Sequence, residues 1–253
     1  MARKAVDVSA RRRVQAAGPV SVASGRIAVL DAFRGSAVIA MIAYHFCFDL
    51  RYFRLARFDF EHDAFWLGAR AVILSSFLFA AGISVALALH RDPSGRRYWR
   101  HVAIIAASAL AVSVASYVMF PRTYIWFGVL HAIAVSLALA WPLGRHPRVA
   151  LAFGVAVLVA GLAMSHPAFD SRALGWIGFM TSKPSTEDYV PLFPWAGVLF
   201  IGVAAAPWLV GADAGPLRSH PAPLVLQWLG RHSLLVYLLH QPLMIGVLAL
   251  VVR

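Results

Sequence analysis

Arg34 and His45 stand eleven residues apart in the first long apolar segment, with Asp31 three residues before the arginine and Asp49 four residues after the histidine. Eleven residues are about three helical turns, so in a helix both basic side chains leave nearly the same face, roughly 16 Å apart along the axis. An ionisable group at the centre of a membrane helix costs about 2.5–3.5 kcal/mol on insertion scales. Four on one stripe therefore point to a polar cavity inside a helix bundle, not to a lipid-facing surface. His45 is the candidate general base, because an imidazole titrates close to neutral pH. Asp49 at i+4 is expected to accept a hydrogen bond from one ring nitrogen and fix the tautomer. Arg34, held by Asp31, is expected to meet an anion or a carbonyl. The plainer alternatives are a packing histidine and an ion pair that only eases insertion.

Other apolar segments bring further polar groups. Arg70 opens the second, His131 is placed midway along the fourth, and His240 midway along the seventh, in Tyr237-Leu-Leu-His240-Gln-Pro242. Asp188-Tyr-Val-Pro-Leu-Phe-Pro-Trp195 opens the sixth. Each has a structural alternative: interfacial snorkelling for Arg70, helix packing for the histidines, helix-start shaping for the prolines, interface anchoring for Trp195.

The elements that must position these groups follow from composition. The chain is 253 residues, 60% hydrophobic, with a mean hydropathy of +0.72. Soluble domains are about 45–50% apolar, and here the excess is gathered into long runs. We expect an all-α polytopic membrane bundle of about seven transmembrane helices, near 27–48, 65–89, 101–120, 124–141, 149–164, 190–210 and 224–251. Residues 1–25 are basic and read as a disordered cytoplasmic tail without an apolar signal region, and residues 26–253 as one membrane domain. With the N-terminus inside, inner segments carry thirteen Lys/Arg and outer segments seven; that bias favours N-in, C-out. The net charge of +12 lies at helix ends rather than in a basic stripe with aromatics, which argues against a nucleic-acid partner. The single Cys47 excludes an intrachain disulfide and a cysteine-based metal centre, and no metal is expected. Residues 165–189 form an outer loop able to cap a pocket or simply to be solvated.

Four blocks, in order, resemble the heparan-alpha-glucosaminide N-acetyltransferase catalytic-domain family in its small bacterial form. They are Leu-Asp31-Ala-Phe-Arg34-Gly with Tyr-His45-Phe, Phe127-Gly-Val-Leu-His131, Asp188 to Trp195, and Gly230-Arg231-His232-Ser-Leu-Leu-Val-Tyr-Leu-Leu-His240-Gln-Pro242. The Arg34-x10-His45 spacing is also similar to the Arg-x10-His motif of type 3 membrane acyltransferases. The resemblance implies a transmembrane acyltransferase using cytoplasmic acetyl-CoA, with His45 as catalytic histidine and Arg34 on the donor side. It implies an integral protein of a bacterial inner membrane. The chain is shorter than the heparan enzyme, which leaves the acceptor open: a glycan or another surface component with a hydroxyl or amine. A homodimer is compatible with this reading.

Pantetheine is thin enough to thread between helices while the nucleotide stays at the basic inner surface. His90, Arg96, Arg97, Arg100 and the Arg231-His232 turn are the candidate phosphate contacts there. Direct attack by an acceptor deprotonated by His45 and a route through acetyl-His45 both remain open. So does a transporter or flippase using the Asp/Arg/His stripe as a proton or substrate path, although no internal repeat supports it. A haem protein ligated by two of His45, His131 and His240, and a membrane partner without chemistry, are more distant alternatives.

Overall fold

The computed structural model describes residues 26–210 and 220–252. The tail expected at 1–25 lies outside the described residues. Among the described residues, nine α-helices run in chain order: α1 Ala28–Tyr52, α2 Ala64–Arg91, α3 Arg96–Met119, α4 Val129–Leu143, α5 Pro147–Ala163, α6 Arg172–Gly175, α7 Leu192–Val210, α8 Leu224–Arg231 and α9 Ser233–Val251. Five of them (α1, α2, α3, α7 and α9) are long and apolar enough to cross a membrane. The apolar helices α4 and α5 are shorter, at 15 and 17 residues.

Local chemistry explains where the helices start and stop. Asp63 caps α2 by accepting the Phe65 N–H at 2.8 Å. Asp92-Pro-Ser-Gly95 ends α2, with Gly95 in the left-handed region at φ +71°, a conformation open to glycine at little cost. Pro147 opens α5 at its first position, where its missing N–H costs nothing.

Several boundaries differ from the sequence expectation; the third helix, for one, starts at Arg96 instead of 101. The first helix continues to Tyr52, so Asp49 lies inside it. The fourth begins at Val129 instead of 124, because Phe127 pairs as an isolated parallel bridge with Tyr189 and Val190 N–H bonds the Phe127 carbonyl. The last apolar stretch is two helices, broken at His232 (φ −105°, ψ 18°).

The main core joins α2, α3, α4 and α7 around Leu78, Leu199 and Phe200. Alpha-helices of membrane bundles approach closely through small residues, and two such crossings set the architecture. A Cβ on Gly82 would lie 2.0 Å from the Leu199 carbonyl oxygen, which fixes α2 against α7. A Cβ on Gly35 would lie 2.0 Å from the Leu226 carbonyl oxygen, and one on Gly230 1.8 Å from that of Asp31, which fixes α8 on α1. These clashes are with backbone, which cannot swing aside. Gly230→Ala should therefore push α8 off α1 and destabilise the protein by about 1–3 kcal/mol. A methyl group on Gly246 of α9 would meet nothing within 4 Å, so Gly246→Ala should be neutral or stabilising. Thermal unfolding of both variants in detergent checks the contrast, and equal melting points would refute the crossing argument.

Candidate active site

Asp31 organises one end of the bundle. Its carboxylate is buried, with 4% of the residue exposed. Oδ2 accepts from Arg26 Nε at 3.1 Å and from Arg231 Nε at 3.2 Å, while Oδ1 lies 3.9 Å from Arg34 Nη1. The α1–α8 glycine crossing is what brings Arg231, two hundred residues away in sequence, to this carboxylate. Arg231 also donates to Gln227 Oε1 at 2.9 Å. Arg34 turns its guanidinium towards α2, donating to the Ser84 hydroxyl and, at 3.3 Å, to the Ala80 carbonyl. The expected Arg34–Asp31 pair is thus present but is the longest of the three contacts to that carboxylate.

Arg26, Arg34, Ser84 and Arg231 line a cavity of about 500 Å³ bounded by α1, α2, α3, α4 and the α8–α9 elbow, with Asp31 behind them. Arg26, Arg91, Arg97 and Arg231 line it beside helix ends, together with Asp92, while Arg34 and His101 lie a turn or more inside α1 and α3. The walls beyond them are apolar, including Val85, Ile105, Leu130, Ile133 and Leu137. Along α2 the lining runs from Arg91 to Phe77, fourteen residues or roughly 21 Å. Tyr237 of α9 lines it as well. A narrow, mostly apolar channel with a cationic end suits a long thin molecule that carries phosphates at one tip. Of the phosphate contacts expected from sequence, Arg97 and Arg231 line the cavity. His90, Arg96, Arg100 and His232 are not among its lining residues, and His232 instead packs on Trp228 with its Nδ1 2.9 Å from the Trp228 carbonyl. Sequence reasoning does not single out Arg26, Arg91, His101 or Ser84.

One turn past Tyr237, α1 and α9 bring four polar side chains together. The His45 and His240 rings meet edge to face with centroids 5.0 Å apart. Gln241 Nε2 donates to Asp49 Oδ1 at 2.7 Å. The expected Asp49–His45 bond is therefore replaced: Asp49 takes its donor from the facing helix, because its stripe on α1 is covered there by Gln241. His240 Nδ1 lies 2.7 Å from the Tyr237 carbonyl. A carbonyl can only accept, so Nδ1 carries the proton and Nε2 of the neutral ring is a bare acceptor. That Nε2 is buried without a hydrogen-bond partner among the described residues, as are Asp49 Oδ2 and Gln241 Oε1. Buried polar atoms without partners are rare in stable structures, and three acceptors within one turn of the same helix pair mark a place where a donor group would be held. The Tyr237 and His240 rings are 5.7 Å apart, so the histidine pair adjoins the cavity where Tyr237 lines it.

At the opposite end of the bundle a second cavity of about 440 Å³ is lined by Phe60, Glu61, Arg70, Lys183, Thr186 and Glu187 among others. Residues of the 165–189 loop do form its wall, and Arg70 is exposed within it. Phe60 packs on Tyr44 with centroids 5.2 Å apart, one residue from His45.

The remaining site residues expected from sequence have local partners. Asp188 Oδ2 accepts the Val129 N–H at 2.8 Å and so caps α4. Burial raises its carboxyl above the ordinary carboxylate range, while that bond and the Arg70 and Lys183 charges pull the other way. His131 stands in the first turn of α4 rather than mid-span, with Nδ1 accepting the Gly128 N–H at 3.2 Å and Nε2 3.2 Å from the Ser113 hydroxyl. Trp195 is half-buried against the main core.

The sequence profile described as heparan-alpha-glucosaminide N-acetyltransferase, catalytic, matches residues 26–242. No curated protein and no solved structure matches the chain.

Proposed function

Because the chain belongs to the heparan-alpha-glucosaminide N-acetyltransferase catalytic family, a family of membrane acetyltransferases, we propose that it transfers an acetyl group from acetyl-CoA to a hydroxyl or amine acceptor, with His45 as the base. The observation that carries this reading is the continuity of the first cavity. Four arginines beside helix ends and Tyr237 line the same cavity, and Tyr237 abuts the His240–His45 pair. The CoA phosphates would rest on Arg26, Arg91, Arg97 and Arg231, and the pantetheine arm would follow the apolar walls past Arg34. The thioester would then lie beside Tyr237, within reach of the histidines.

In this mechanism His45 takes the proton from the acceptor as its oxygen or nitrogen attacks the thioester carbonyl carbon. The tetrahedral intermediate collapses, the carbon–sulfur bond breaks, and the thiolate leaves with its proton regained from the imidazolium. His240, held in one tautomer by the Tyr237 carbonyl, offers Nε2 to the second nitrogen of His45 and takes the orienting role that sequence reasoning gives to Asp49. Asp49 Oδ2 and Gln241 Oε1 are left to receive the acceptor's donor groups. The second cavity, lined by hydroxyls, two carboxylates, two cations and Phe60, supports a glycan or another surface component as acceptor. The Lys/Arg bias supports an inner-membrane protein with its arginine end towards the cytoplasm, and residues 26–253 acting as one catalytic domain.

The reading is tested by titrating the purified protein with acetyl-CoA and then offering isotopically labelled acetyl-CoA with a panel of amino and neutral sugars. We expect saturable binding weakened by salt, as phosphate contacts require, and label in at least one acceptor. Absence of acetyl-CoA binding at low salt would overturn it and favour a transport path.

A further inference from the structure

We infer that the Tyr237 hydroxyl is the hydrogen-bond donor to the thioester oxygen, stabilising the negative charge that develops there during transfer. The inference rests on the acetyl-CoA reading above. Three observations place it. Tyr237 lines the cavity, and its hydroxyl makes no hydrogen bond to any described residue, although its own carbonyl is occupied by His240. Along α9 it stands four residues past Ser233, the first residue after the Arg231-His232 elbow, and three before His240, roughly 6 Å and 4.5 Å of rise. It therefore lies between the phosphate end and the histidine pair, where the acyl carbonyl of a threaded donor must sit. Finally, the neighbouring unpartnered polar atoms (His240 Nε2, Asp49 Oδ2 and Gln241 Oε1) are all acceptors. Asp49 Oδ2 and Gln241 Oε1 suit the incoming nucleophile's hydrogens, His240 Nε2 suits the second nitrogen of His45, and none of the three, unprotonated, can donate to an oxyanion.

The chemistry needs such a donor. As the acceptor oxygen or nitrogen bonds to the carbonyl carbon, the C=O electron pair moves onto oxygen. When it returns, the carbon–sulfur bond breaks and the thiolate departs. Tyr237 keeps its proton throughout, so the balance remains that of acetyl-CoA plus acceptor giving acetylated acceptor plus CoA. Donors aimed at a developing oxyanion act mainly in the transition state, and removing one lowers turnover by about 10²–10³-fold.

The test needs no acceptor. Acetyl-CoA labelled with ¹³C at the carbonyl is bound to wild type and to Tyr237→Phe, and the isotope-edited infrared carbonyl band is recorded. We expect the band of wild type to lie below that of free acetyl-CoA and to return towards it in Tyr237→Phe, with the dissociation constant changed less than about threefold. With an acceptor in hand, kcat should fall about 10²–10³-fold at unchanged donor KM. Identical bands in the two proteins would overturn the inference while leaving donor binding intact. Failure of wild type to bind acetyl-CoA overturns the functional reading itself and this inference with it. If Tyr237→Phe does not fold, 2,3-difluorotyrosine at 237, a stronger donor of the same shape, should move the band further down; an unmoved band would overturn the inference equally.

Discussion

His45→Ala is expected to lower acetyl transfer by about 10²–10⁴-fold, the range for a general base, while acetyl-CoA affinity stays within about threefold of wild type. The separation follows from position. His45 stands eleven residues along α1 from Arg34 and is not among the residues lining the donor cavity, so its loss leaves the phosphate and pantetheine contacts in place. His240→Ala should be milder, about 10-fold, because it removes the orienting partner and not the base. Groups that act as a unit are strongly non-additive, so the double variant should be no slower than His45→Ala alone. Labelled-acetyl transfer, measured beside acetyl-CoA titration, checks all three. If His45→Ala transfers at the wild-type rate, His45 is a packing residue. If instead His240→Ala shows the larger loss, the bare Nε2 of His240 is the base and the two roles exchange.

The parts of this arrangement that are legible in the sequence are those encoded locally. The stripe Asp31, Arg34, His45, Asp49 lies on one helix, so helical periodicity alone places it on one face. Hydrophobic runs locate the helices, because burial in lipid demands them. The pairings between helices are not legible. Spacing offers Asp49 its nearest candidate, His45 at i+4, whereas the structure gives it Gln241, 192 residues away. Local spacing cannot show which helix covers a given face. The same holds for His240 on His45, whose contact depends on the break at His232 and on the Gly35–Gly230 crossing that sets the angle of α8.

His131 departs from its mid-span expectation for a different reason. The apolar run from 124 continues smoothly into α4, so composition shows no boundary, yet Phe127 is held in a bridge to Tyr189. Gly128, directly before the helix, is the available signal: a Cβ there would lie 2.3 Å from Asp188 Oδ2, the oxygen that caps α4. Ser84 escapes a sequence reading because a serine hydroxyl in a long apolar helix is usually satisfied by its own backbone, and Tyr237 because local spacing does not show which cavity its ring reaches. Ser84 does donate to the Ala80 carbonyl at 2.7 Å, but it also receives Arg34.

Asp31→Asn is expected to weaken acetyl-CoA binding by about 10–100-fold. Two effects oppose each other. Removing the carboxylate leaves one more net positive charge at the cavity end, which attracts phosphates. Through a water-like dielectric at about 8 Å that gain is about 0.5 kcal/mol, and salt reduces it. Against it stands the loss of the contacts that hold Arg26 and Arg231 by their Nε atoms, each a charge-assisted bond of about 1.5–3 kcal/mol. Without them, two long side chains must be ordered by the ligand itself, and positioning outweighs the added charge. The stability cost should be smaller than the roughly 3–5 kcal/mol typical of breaking a fully buried pair. The Arg26 and Arg231 side chains are 60% and 41% exposed and can turn to water. Titration at two salt concentrations checks the sign. If Asp31→Asn binds acetyl-CoA more tightly than wild type, and the advantage vanishes in salt, the carboxylate only neutralises the arginines and does not aim them.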